Sequence, residues 1–167
     1  KAALTSRIFE MEQMALRAQM NPHFIFNSLN SIQQYVIDAD VKGANRFITG
    51  FSRLIRKTLD HSSNDEISIQ AEKEYICTYL ELEQMRFENK FEYFFNIAAD
   101  IDKNETCIPP MLLQPYVENA IRHGINNKKE GTGKIDITIT IKDNNLICEI
   151  TDNGIGRLAS EKLKGNV

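Results

Sequence analysis

Ile135-Asp-Ile-Thr-Ile-Thr-Ile-Lys-Asp-Asn-Asn-Leu-Ile-Cys-Glu-Ile-Thr-Asp-Asn-Gly-Ile-Gly156 decides how the second half of the chain folds. Isoleucine at 135, 137, 139 and 141 alternates with Asp136, Thr138, Thr140 and Lys142, the period-two pattern of a strand with one buried and one wet face. Asp143-Asn-Asn145 reads as a turn, and Leu146 to Ile150 return as the second strand of a hairpin. The hairpin delivers Asp152 at the end of a buried strand, with Gly154 and Gly156 just beyond. A carboxylate held on a rigid element, followed by backbone free to bend, is suited to gripping a ligand closely. Asp-x-Gly-x-Gly alone is weak evidence, because Asp-Asn-Gly is also a common turn sequence.

Outward from this hairpin, Pro109 and Pro110 announce a helix, since proline fits the first helical turn, and Gly124 is placed to end it. Phe91, Tyr93, Phe95 and Ile97 alternate as a strand. A helix over about 71–88 carries Tyr75, Ile76, Tyr79, Leu80 and Met85, with Glu72 and Glu74 near its positive end. A brief strand is expected around Ile67 and Ile69. Helices on one face of a mixed, largely antiparallel sheet make this unit an α/β sandwich.

His61-Ser-Ser-Asn-Asp65 reads as a linker, dividing the chain into residues 1–62 and 63–167, an α+β chain overall. Before it, Val41, Ala44, Phe47, Phe51, Leu54, Ile55 and Leu59 recur at helical spacing behind Asp40, a suitable cap. Phe24, Ile25, Leu29, Ile32 and Val36 mark an earlier helix that ends near Asp38 and is bent at Pro22. Such a hairpin has little apolar surface of its own, so a second copy is expected to complete a four-helix bundle. Leu4, Ile8, Met11, Ala15 and Ala18 follow a 4-3-4-3 spacing, read either as a dimeric coiled-coil seam or as an ordinary amphipathic helix.

With 20 basic and 23 acidic residues and no long basic run, nucleic acid is not an expected partner. Cys77, Cys107 and Cys148 are widely spaced beside apolar segments without a C-x-x-C pair, so buried, reduced thiols are expected. No stretch approaches the roughly 18 apolar residues of a membrane span. The chain opens at Lys1 and stops after a glycine-containing stretch, and is expected to be an excerpt whose sensor or membrane anchor lies elsewhere.

Three clusters carry chemistry: Gln19-Met-Asn-Pro-His-Phe-Ile-Phe-Asn-Ser-Leu-Asn30, Gln114-Pro-Tyr-Val-Glu-Asn-Ala-Ile-Arg-His-Gly124, and Asp152 to Gly156. Asn119 and His123, four apart, share one helix face, while Glu118 and Arg122 share the next. The Asn119 amide oxygen is a hard neutral donor suited to Mg²⁺ held jointly with nucleotide phosphates. Arg122 can meet a phosphate or form a surface ion pair with Glu118. His123 can face a nucleotide or simply favour the helix dipole. Asp152 can accept a hydrogen bond from the exocyclic amine of adenine.

Taken together, Glu118-Asn-Ala-Ile-Arg-His-Gly124, a hairpin, then Asp152-Asn-Gly-Ile-Gly156 resemble the N box and G1 box of an ATPase domain. That domain is shared by histidine kinases, a heat-shock chaperone, type II topoisomerases and mismatch-repair MutL proteins. Asn21-Pro-His-Phe-Ile-Phe-Asn-Ser-Leu-Asn30 resembles the phosphoacceptor motif of LytS-type sensor histidine kinases, and Pro109-Pro-Met-Leu-Leu-Gln-Pro-Tyr-Val-Glu-Asn119 resembles that family's N-box lead-in. The similarity runs in order over nearly the whole chain.

The resemblance implies transfer of the γ-phosphoryl group of ATP to a His23 nitrogen, with Mg²⁺, and from there to an aspartate of a response regulator. It implies a homodimer on the cytoplasmic side of a membrane-anchored parent, and ATP contacts from Glu118, Asn119, Arg122, His123, Asp152, Gly154 and Gly156. A neutral imidazole is nucleophilic at physiological pH, and the transfer needs mainly alignment and charge neutralisation. Asn27, one turn beyond His23, can orient the imidazole or a phosphoryl oxygen.

Two features depart from the commoner pattern. Phe24 follows His23 where an acidic residue is usual, so no general base is identified. The family's second glycine-rich box does not occur before Val167 and is expected beyond it. An alternative reading is a non-catalytic dimeric signalling scaffold, against which intact His23, Asn119 and Asp152 argue. A chaperone or topoisomerase-type ATPase has no use for an Asn-Pro-His hairpin.

Overall fold

The computed structural model of the chain describes residues 21–126, 128 and 131–155. The 4-3-4-3 stripe from Leu4 to Ala18, Gly156 and the residues after it lie outside that range. Helix α1 spans Pro22–Ile37 and α2 spans Val41–Ser62. A two-residue strand β1 (Ile67–Ser68) leads into α3 (Ile69–Arg86), followed by β2 (Phe91–Ile97) and the short β3 (Cys107–Ile108). Helix α4 (Gln114–Asn119) continues as a π-helical segment, Ala120–Ile125. Strands β4 (Gly133–Lys142) and β5 (Asn145–Asp152) close the described chain.

Local chemistry sets these boundaries. Asn21 caps α1 by accepting from the His23 N–H at 3.0 Å, and Pro22 occupies the first turn, where its missing N–H costs nothing. Pro22 therefore begins a helix, where the sequence reading had it bending one. Asp40 caps α2 by accepting from the Gly43 N–H at 2.9 Å, as its position suggested. Between the helices Ala39 takes a left-handed conformation, φ 55°. Ser68 caps α3 through the Ala71 N–H, so that helix begins two residues earlier than expected.

Pro109-Pro110 do not start the helix, contrary to the expectation from sequence. Those residues precede a turn in which Met111 has φ 57°, and α4 opens only at Gln114, with Pro115 in its first turn. Gly124 does not end the helix either, because the π-helical segment runs through it to Ile125.

The main sheet has the order β2-β4-β5. Strands β2 and β4 run parallel from Phe91 opposite Gly133 to Ile97 opposite Ile139, while β4 and β5 are antiparallel. A separate antiparallel pair joins β1 to β3. The β4–β5 register pairs Lys142 with Asn145, leaving Asp143 and Asn144 as a two-residue turn with φ 51° and 60°. Both are positive, as a type I′ turn requires, and Asp and Asn tolerate them better than most residues. Mixed sheets beside helices agree with the α+β expectation.

Ile135, Ile137 and Ile139 are fully buried, so the alternation read from sequence marks the core face of β4 up to Ile139, whereas Ile141, expected on the same buried face, is exposed beside the turn. Its partner β5 is not buried as expected: Leu146, Cys148 and Ile150 are half-buried and the residues between them exposed. One apolar core runs through the molecule, joining Phe24, Phe51 and Leu54 of the hairpin to Tyr75, Tyr79 and Leu80 of α3 and on to the isoleucines of β4. The hairpin thus buries one face against α3 of its own chain. Phe26, Val36, Ile37 and Val41 remain exposed on it. Cys77 and Cys148 are partly buried, whereas Cys107 is exposed, contrary to expectation, because β3 pairs along one edge and turns that side chain outward.

Candidate functional site: a cavity between the α4 helix and the β5 strand

A cavity of about 570 Å³ lies between α4 with its π-helical extension and β5. Leu146, Cys148 and Ile150 form its apolar floor, and Asn119, His123 and Asp152 bring polar groups to it. The volume falls within the usual range for small-molecule sites, which combine apolar walls with a few placed polar groups. Burial pushes the Cys148 thiol above its ordinary range, aided by the Glu72 carboxylate, so it lines the floor as a neutral, weakly polar group.

The lead-in to α4 is held from beneath by Glu72 of α3. This fully buried carboxylate accepts from the Met111 and Leu113 N–H groups, both at 3.0 Å. Burial raises its pKa, and the two backbone donors pull against that rise. The wider π-helical turn begins directly after Asn119, and such segments frequently accompany functional sites. Asn119 and His123 still reach the same cavity, as their four-residue spacing suggested.

Asp152 sits at the cavity edge, with its Oδ1 accepting from the Gly154 N–H at 2.8 Å. Here two glycines are required by contact. A Cβ at Gly124 would collide with the Asp152 carboxylate, and a Cβ at Gly154 would collide with the Gly124 backbone. Asn153 ties the same turn to the start of β4, donating to the Thr132 carbonyl at 3.2 Å and accepting from the Lys134 N–H at 2.7 Å. The turn is therefore clamped on both sides, which fixes the carboxylate.

The remaining candidates lie elsewhere. Glu118 does not line the cavity; its carboxylate accepts from Asn21 Nδ2 at 3.0 Å and from Gln114 Nε2 at 2.7 Å. Arg122 is exposed and also does not line it. His23 is exposed in the first turn of α1, and the Asn27 amide nitrogen lies 3.2 Å from His23 Nδ1 and 3.3 Å from Nε2. The sequence reading missed Leu112, Leu113 and Tyr116, which line the cavity from the α4 side. The apolar run Met111-Leu-Leu113 was the available signal.

A family model described as histidine kinase matches residues 11–91. The sensor protein LytS of Staphylococcus epidermidis is 35% identical over 147 residues, 88% of this chain and 24% of that protein. The sensor histidine kinases BtsS and YpdA of Escherichia coli are 36% and 33% identical, over 92% and 93% of this chain and 26% and 28% of theirs. The chain belongs to the histidine kinase family. Its relatives are LytS-type sensor histidine kinases, proteins of two-component signalling. It spans about a quarter of the length of the first relatives it matches. Among the described residues no helix is long and apolar enough to cross a membrane.

Proposed function

We propose that the chain is the core of a sensor kinase that moves the γ-phosphoryl group of Mg-ATP onto His23 and then onto an aspartate of a response regulator. The observation that carries this reading is the cavity in which the N-box residues Asn119 and His123 face Asp152 across an apolar floor. Its residues fit a nucleotide. A purine ring would lie over Leu146, Cys148 and Ile150, with Asp152 accepting from its exocyclic amine. Asn119 would hold Mg²⁺ together with phosphate oxygens, and the ion would neutralise charge developing at the transferring group.

At His23, a neutral ring nitrogen attacks the γ-phosphorus as the bond to the β-phosphate oxygen breaks; ADP leaves with the bonding electron pair, and the exposed imidazole releases its proton to solvent water. Asn27 stays within hydrogen-bonding reach of the ring and would hold its orientation. The exposed Phe26, Val36, Ile37 and Val41 on the hairpin support a homodimer in which a second copy covers them. A membrane-anchored parent with this core on the cytoplasmic side completes the proposal, the anchor lying outside residues 1–167.

The test is to incubate the parent protein with labelled Mg-ATP and look for acid-labile, base-stable label. Label on the wild type that vanishes in His23→Ala is expected, and label persisting in that variant would sink the phosphoacceptor assignment. Asn119→Asp is expected to lose both Mg-ATP binding and labelling, since a fixed charge replaces a neutral ligand beside the phosphates; normal behaviour would remove Asn119 from the metal.

A further inference from the structure

Glu118 immediately precedes Asn119, yet it turns toward the hairpin, reaching a partner 97 residues away. Two donors converge on it. Asn21 Nδ2 donates to Oε2 and Gln114 Nε2 donates to Oε1. Each amide is fixed at its other end: Asn21 Oδ1 accepts from the His23 N–H, and Gln114 Oε1 accepts from the Tyr75 hydroxyl at 2.8 Å. Tyr75 is fully buried, with the buried Thr58 Oγ1 3.3 Å from its hydroxyl.

The row of hydrogen bonds therefore runs from the core through Gln114 and Glu118 to the Asn21 amide nitrogen, while the Asn21 amide oxygen caps the helix that carries His23. Only an acceptor at both oxygens satisfies the centre. A glutamine at 118 would accept one donor and turn its own NH₂ against the other.

We propose that Asn21 and Glu118 are positioning residues forming a latch that sets the first turn of the His23 helix against the ATP-site helix. The proposal rests on His23 being the phosphoacceptor. It assigns the Asn of the Asn-Pro-His motif two jobs at once, capping α1 with its oxygen and docking α1 with its nitrogen. It also gives Glu118 a role distinct from contact with nucleotide.

A swap of donor and acceptor tests it in the parent protein. Asn21→Asp retains a good cap but sets two carboxylates against each other, and Glu118→Gln sets amide against amide. Combined, they restore complementarity: the glutamine at 118 donates to the aspartate at 21 and still accepts from Gln114. Each single variant is expected to slow labelling of His23 roughly tenfold to a hundredfold, the scale on which a small misplacement of a reacting group acts, with ATP affinity within about twofold of wild type. The double variant should recover labelling to within about threefold, and its melting temperature should exceed the sum of the single effects.

A double variant as slow as the product of the singles, or either single with wild-type labelling, overturns the latch. Loss of ATP affinity matching the loss of rate in Glu118→Gln would also overturn it, by placing Glu118 on the nucleotide. If label persists in His23→Ala, the phosphoacceptor reading fails by itself. The thermal cycle then decides the latch, coupling supporting it and additivity refuting it.

Discussion

His61 near the end of α2 is 9% exposed, its ring 5.6 Å from that of Tyr75, and its Nδ1 is buried without a hydrogen-bond partner among the described residues. Burial lowers its pKa from 6.5, Lys57 adds to that, and Asp60 and Glu74 pull the other way. The fold thus favours the neutral ring, while the unfolded chain takes up a proton near 6.5. His61 contributes stability that is present above that pH and lost as pH falls below it. Glu72 and Glu83 carry the opposite bias, since burial raises both from 4.5. Their folded forms prefer the proton, so the stability they add at acid pH is lost as pH rises above 4.5. The two windows overlap, and the His61 share is read by difference. Between about pH 7.5 and 5.5 the melting temperature of the wild type should fall more steeply than that of His61→Gln. Parallel curves would mean that His61 takes up its proton as readily in the fold as in the unfolded chain.

At the scale of elements, the α4 helix and the β5 turn meet through two glycines, and a methyl group at 124 has no space beside the Asp152 carboxylate. Gly124→Ala should therefore push Asp152 out of place, cost about 1–3 kcal/mol of stability and weaken ATP binding about tenfold or more. Calorimetric titration with Mg-ATP checks this, and unchanged affinity would show that Asp152 does not hold the base. The contact also explains what was legible in sequence and what was not. The alternating isoleucines state their own period, so β4, its turn and its partner were readable, and Asn119, His123 and Asp152, which the two motifs singled out, line one cavity. Gly124 was read as a helix stop because local chemistry favours glycine there, but its reason is a carboxylate 28 positions later. Pro22 and Pro109-Pro110 were misplaced because proline marks a helix start or a break equally well, and only the cap at Asn21 or the left-handed Met111 decides between them. The Asn21–Glu118 contact joins residues 97 apart, and no local pattern announces it.

Across the whole molecule, the polar stretch His61–Asp65 looks like a boundary, yet the apolar core passes beneath it. Phe51 of α2 is fully buried with its ring 6.0 Å from Phe24, and Phe24 in turn lies 5.0 Å from Tyr79 of α3. From there the core continues through Ile76 and Leu80 to the β4 isoleucines. A hairpin that shares its core with α3 and the β4 strand cannot melt alone without exposing Tyr79 and its neighbours. Elements joined in this way open as one cooperative unit. A signal arriving at the hairpin would then reach the cavity through packed side chains as well as through the Asn21–Glu118 contact. Phe51→Ala tests the connection, since removing a buried phenylalanine ring costs about 3–5 kcal/mol. Hydrogen exchange should show the slowest amides of α2 and of β4 losing protection by equal free energies in this variant. Loss confined to α1 and α2, with β4 unchanged, would make the hairpin an independently folding unit after all.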